Sequence, residues 1–443
     1  MSLDFFLTAY DPSDLPGTSI DPLGFERGYL FLADRILPGL TNVAARPRYF
    51  GMLCAGIHLA GVDSTTPPRS AYSQRLPVLL RMERLWGLAN VLASSSRGDA
   101  EGQLQGIRGL RYLQARSVVL GDRRMTQTSA DFRVLSRQVQ YGVVGIYAAV
   151  AQGMRMLGDR RALSLTPDLG DRLGEAFVDE TEMPAPIRTA VKDDKPVSLA
   201  VLADWGGRAH VSGRAGAEER RCLRDAVIRN AVRLRMTRLL AEHQAEEGEE
   251  ELQRLTRVER SLRDREEDED LRDAVQAIIA YEGAYRIAQL ALERLIWLCR
   301  KSPALDVRNC EGDEVLQLVL QRLPKSVGKL QGILDAAKSF GFGSDLTAME
   351  DVRRFLADAA LAAGNSAPEL IEVVLSRHRD VQHGKFDRGR RKMPWIERVN
   401  GRIAFTSAQV GGLSREARHP TEIAPHFYRT ASADALRVAA GIS

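Results

Sequence analysis

Arg377 to Trp395 reads Arg-His-Arg-Asp-Val-Gln-His-Gly-Lys-Phe-Asp-Arg-Gly-Arg-Arg-Lys-Met-Pro-Trp, setting seven Lys/Arg and two His against two Asp. Three chemistries fit such a loop. Arg377, Arg379, Lys385, Arg388, Arg390, Arg391 and Lys392 could neutralise phosphates, with Trp395 stacking on a base. Imidazoles, a lysine and carboxylates could instead move protons: His378, His383, His419 and His426 fall in the last 66 residues, together with Asp380, Lys385 and Asp387. Yet Asp380 stands only three positions before His383, and no nuclease spacing is met. The third reading is structural, because His and Arg often satisfy carbonyl groups at helix ends.

Other signatures can be set aside. Gly328-Lys329 lacks the upstream glycine and following hydroxyl of a phosphate-binding loop, and Gly341-Phe342-Gly343-Ser344 follows a helix rather than a strand. No His-Glu-x-x-His or Gly-x-Ser-x-Gly occurs. Cys54, Cys222, Cys299 and Cys310 lie far apart, without the paired spacing of a zinc site, so neither metal nor cofactor is expected. Positive and negative side chains nearly balance, 62 against 58, so any pull on a polyanion must be local. Eight lysines leave 54 of the 62 as arginines, an excess better explained by codon bias in a GC-rich bacterial genome than by phosphate recognition. Met1 to Tyr10 has no basic leader, and the longest nearly apolar stretch, Tyr49 to Val62, is too short to span a bilayer. A soluble cytoplasmic protein is therefore the expectation.

The elements that position these residues read as helices. With 44% hydrophobic residues over 443 positions, the chain can form two or three cored domains. Asp21-Pro22 reads as a cap with proline at the first helical position, and Phe25, Tyr29, Leu32 and Ile36 follow at helical spacing until Pro38-Gly39. Helices are expected over about 48–62, 72–93, 103–116 and 131–157, the last broken near Tyr141-Gly142. His58 falls on a mostly apolar face and reads as a core histidine. The glycine-dense run from Trp205 to Gly216 reads as a linker ahead of a helix over 217–243. Beyond it, Glu246 to Asp273 is nearly all charged and reads as an exposed arm with a sparse stripe of Leu252, Leu255, Val258, Leu262 and Leu271. The stripe could pack a coiled-coil partner or arch over the body of the protein, and the arm could serve as an oligomerisation or partner element.

The pattern turns apolar over 271–298, and helices recur at about 313–323, 327–340, 348–363 and 367–378. Trp395 to Thr406 alternates around Asn400-Gly401, the pair best suited to a type I′ turn, which sets Val399 opposite Arg402 and Glu397 opposite Ala404. The expected fold is thus mainly α, multidomain, with a C-terminal β-hairpin. Its expected divisions are 1–204, a helical arm and return helix over 217–302, and 303–443.

Two resemblances add to this reading. Leu165-Thr166, Gly170, Leu173 and Phe177 resemble the end of winged helix-turn-helix domains, where a wing strand finishes and a helix opens, although one extra residue separates Thr166 from Gly170. That resemblance, placed over 130–178, implies DNA binding through a recognition helix carrying Arg137, Gln138, Gln140 and Tyr141. The alternative is a plain helix start, capped by Thr166-Pro167, with Leu169, Leu173 and Phe177 buried. Asp21-Pro22-Leu23-Gly24, Ile36-Leu37-Pro38-Gly39-Leu40-Thr41-Asn42 and Arg46-Pro47-Arg48-Tyr49 resemble uncharacterised bacterial proteins of mobile or antiviral-defence loci. This implies a subunit working beside other proteins. The expectation is a non-enzymatic subunit of a bacterial assembly that contacts DNA or RNA or acts as a scaffold. A nuclease-like enzyme built on the C-terminal loop, or a pure protein-interaction module, stands as the alternative.

Overall fold

The computed structural model describes residues 21–63, 65–97, 104–302, 305–336, 346–387, 390–406 and 416–443. The fold is mainly helical, with small antiparallel strand pairs and a C-terminal hairpin. It divides into two compact units, one of residues 21–36 and 245–428, the other of 37–244 and 429–443. The expected consecutive divisions give way to units that each close with a distant piece of chain.

In the first unit the helix Glu269–Lys301 is the axis, and the helices Glu26–Ile36, Glu251–Leu262 and Glu314–Ala336 pack along it. Phe25 explains why the early segment belongs here: its ring meets those of Tyr281, Tyr285 and Phe355 edge-on at 5.8, 5.0 and 5.9 Å. Such contacts add to the area that each ring buries. Asp21 caps as expected, its carboxylate accepting from the N–H groups of Phe25 (2.7 Å) and Glu26 (2.9 Å). Pro22 is not the first helical residue, however, because Gly24 turns the chain at φ +76° and the helix opens at Glu26.

The charged arm is not free-standing: Arg260, Arg263, Asp264, Glu266 and Glu267 are exposed, but its apolar stripe is covered. Leu255, Val258 and Leu262 are fully buried, and the flanking Arg254 and Glu259 are buried too, because the stripe lies on the Glu269–Lys301 helix. The i,i+4 pairing expected on its outer face is present, with Arg263 on Glu259 (3.0 Å), and Arg257 reaches back to Glu249 (2.6 Å). The two helices expected over 313–340 are one, Glu314–Ala336, which runs through Pro324. Asn400 and Gly401 take φ +52° and +79°, and the hairpin pairs Val399 with Arg402 and Glu397 with Ala404 as read from sequence. Leu305–Asp306 adds a third strand beside Arg402–Phe405.

In the second unit the helix Pro68–Arg97 is central and packs against Arg48–Ala60 and Leu199–Arg208. The linker expected from Trp205 onward starts inside that last helix. Trp205 is fully buried, and a Cβ at Gly206 would collide with the Ala89 carbonyl, so this glycine lets two helices approach closely rather than freeing a loop. His58 is not a core residue: its side chain is 34% exposed and meets Asp171 across 2.7 Å.

The segment resembling a winged helix contains an antiparallel pair, Leu157–Asp159 with Ser164–Leu165, followed by a capped turn into the helix Arg172–Glu180. The helix ahead of it is interrupted at Gly142, so Gln138–Tyr141 is a single turn. Gln138 does not face outward; its amide nitrogen donates to Glu83 (2.7 Å) and its oxygen accepts from Arg84 (2.8 Å). Leu169, Leu173 and Phe177 are buried. Thr166 Oγ1 accepts from Gly170 N–H (3.1 Å) and donates to the Arg155 carbonyl (2.7 Å). Thr166→Ala is expected to lower stability by about 1–2 kcal/mol in denaturant unfolding. A change below about 0.3 kcal/mol would show that this cap is idle.

Candidate nucleic-acid interface

The basic segment begins on the helix Ala367–His383, opened by Ser366, whose hydroxyl accepts from Glu369 N–H (3.3 Å). Its last turns direct His378 inward, where the side chain is fully buried. Nε2 accepts the Trp395 N–H (2.8 Å), so the proton sits on Nδ1, which donates to the Pro22 carbonyl at 3.1 Å. Both ring nitrogens are thereby used, and the imidazole is neutral. Burial brings its pKa down to about 4, and the nearby Lys385 charge adds to the effect.

Three of the expected nucleic-acid contacts are structural. Arg377 donates Nε–H to the Leu23 carbonyl (2.8 Å), pairs with Asp351 (2.6 Å) and covers the Phe355 ring. It passes so close to Gly24 that a Cβ there would come within 2.8 Å of its guanidinium. Lys385 is half-buried and its ammonium donates to the Asp21 carbonyl, and burial lowers its pKa. Trp395 is only 6% exposed and packs against the His378 ring at 5.2 Å, so it cannot stack on a base.

The remaining cations stand differently. Arg379 is exposed beside Asp380 (3.6 Å). Arg391 is exposed and Lys392 is partly so. Arg388 lies outside the described residues, and of Arg390 only the backbone is described. Between the anchors the chain makes a short ribbon, Phe386–Asp387 against Arg390–Arg391, and the Lys392 N–H bond to the Lys385 carbonyl (2.9 Å) closes its base. Phe386 and Met393 are 63% and 57% exposed. Sequence reading missed both, since an aromatic beside cations could as well have been buried as Trp395 is.

Of the histidines read as proton-transfer candidates, His383 is partly exposed at the end of its helix, and the other three each have separate partners. His378 is enclosed, His419 binds Thr421 (2.8 Å) and Arg322 (3.0 Å), and His426 binds Glu282 (2.7 Å) while stacking on Tyr29. Tyr428 donates to the same Glu282 (2.6 Å), which makes His426 part of a buried polar network. Among the described residues no group of three His, Cys, Asp or Glu could hold a metal ion. Nor is any described helix long and apolar enough to cross a membrane. No protein-family model, no curated protein and no solved structure matches this chain.

Proposed function

We propose that this chain is a nucleic-acid-contacting subunit of a bacterial assembly, and that the ribbon from Lys385 to Met393 is its contact. One observation carries the reading: a ribbon fastened at its base leaves Phe386 and Met393 exposed beside Arg391 and Lys392. Cations that track a backbone, set next to an exposed ring on which a base can lie, form a platform for single strands. The ring is Phe386, not Trp395. The tie of Lys385 to the Asp21 carbonyl and the enclosure of His378 hold the base of the ribbon in advance, which reduces the ordering cost of binding there.

Fluorescence anisotropy with a labelled single-stranded oligonucleotide tests this reading. Joint Arg391→Glu and Lys392→Glu is expected to weaken binding at least tenfold. It should also flatten the salt dependence by roughly 0.7 for each phosphate that is no longer neutralised. Phe386→Ala should cost about 1–3 kcal/mol with little change in that slope, as loss of stacking does. Affinity and slope both unchanged in the charge-reversed protein would refute the reading.

A further inference from the structure

The second unit holds a cleft of about 810 Å³, walled by the end of the helix Arg48–Ala60, residues 61–62 and 65–68, and the strand pair ending at Leu165. Ile57, Val62, Pro67 and Leu165 give it apolar surface, and His58, Arg75, Asp159 and Asp171 give it ionisable groups. The cleft is built before any ligand arrives. Arg75, only 7% exposed, donates to the Val62 carbonyl on one wall and to the Ala162 carbonyl on the other, each at 2.9 Å. Gly61, at φ +59°, closes the His58 helix by donating its N–H to the His58 carbonyl (3.1 Å). Asp171 ends the turn Pro167–Asp171, where its N–H donates to the Thr166 carbonyl (3.0 Å).

Between these fixed pieces, His58 Nδ1 lies 2.7 Å from Asp171 Oδ1, with the imidazole 34% exposed. A carboxylate on Nδ1 favours the tautomer with the proton there and orients the ring, which makes Nε2 the nitrogen that can take a proton from a reactant. This is the arrangement of an oriented general base.

We propose that the His58–Asp171 cleft is a hydrolytic site for small carboxylic esters whose acyl group is apolar. Water bonds to the acyl carbon as it gives a proton to His58 Nε2. The tetrahedral intermediate then expels the alkoxide, which takes that proton back from Nε2, so ester and water leave as acid and alcohol. The apolar walls favour an acyl chain longer than acetyl, and Asp171 acts by positioning the imidazole.

The test uses the full chain and two activated esters, p-nitrophenyl butyrate and p-nitrophenyl acetate, followed by continuous nitrophenolate release. Multiple turnover with butyrate preferred is expected, falling about a hundredfold or more in His58→Gln. Asp171→Asn should fall at least tenfold, and imidazole added to His58→Gly should restore part of the rate. Val62→Trp, which narrows the cleft while leaving His58 and Asp171 in the sequence, should also lose turnover and keeps the test decisive if a His58 variant misfolds. No turnover by the wild type, or rates that His58→Gln and Val62→Trp leave unchanged, would overturn the proposal.

Discussion

Between pH 7 and pH 4 the first unit is expected to lose about 3 kcal/mol of stability through His378 alone. Unfolded, the imidazole has its ordinary pKa of 6.5; folded, burial brings it down to about 4. In that interval the unfolded chain binds the proton that the folded chain refuses. The stability is therefore complete above pH 6.5 and is lost as pH falls through about 4. Protonation would also force Nε2 to give up the Trp395 N–H (2.8 Å), since a charged imidazole can only donate. Urea unfolding of wild type and His378→Gln across this range is the measurement. The difference between the two should narrow by about 3 kcal/mol from pH 7 to pH 4. Parallel curves would show that the folded imidazole titrates normally.

The second unit is expected to respond to pH in the opposite sense. Glu83 is 3% exposed and holds no cation directly; it accepts from Gln138 Nε2 and from Val143 N–H, both at 2.7 Å. Burial pushes its carboxyl up to about 7 from 4.5, against the weaker pull of those hydrogen bonds and of Arg108 and Arg84. Here the folded state keeps the proton that the unfolded chain has released. The contribution is present in full below pH 4.5 and is lost as pH rises through about 7. Glu83→Gln cannot ionise, although its amide nitrogen cannot accept from one of the two N–H donors that Glu83 now satisfies. It should remove a pH-dependent loss of about 3 kcal/mol between pH 5 and pH 8, so that wild type loses stability relative to the variant as pH rises. A wild-type protein that is as stable relative to the variant at pH 8 as at pH 5 would contradict this.

Features that depend on neighbouring residues were legible in the sequence. Asn400-Gly401 carries the turn that sets the hairpin register, and Asp21 and Thr166 carry the side-chain oxygens that close helix starts. Features that depend on distant residues were not. Gly206 reads as loop composition until the Ala89 carbonyl is found against it, because glycine serves both free turns and close approaches. The Leu255, Val258 and Leu262 stripe looks too sparse for a core when the apolar helix that covers it is left out.

At the ribbon the same rule decides which side chains face out. His378 is held by a carbonyl 356 residues earlier, and that bond, together with the Trp395 N–H, draws the one tryptophan of the segment inside. His58 and Asp171 lie 113 residues apart, and nothing local to either announces the other.

Ultraviolet cross-linking of the full chain to a single-stranded oligonucleotide, with the adducts mapped by mass spectrometry, tests the role of the ribbon most directly. Adducts on Phe386 and its neighbours up to Met393 are expected, and they should disappear in Phe386→Ala while the protein stays folded. Adducts confined to other segments, or none at all between 386 and 393, would contradict a ribbon that grips the strand.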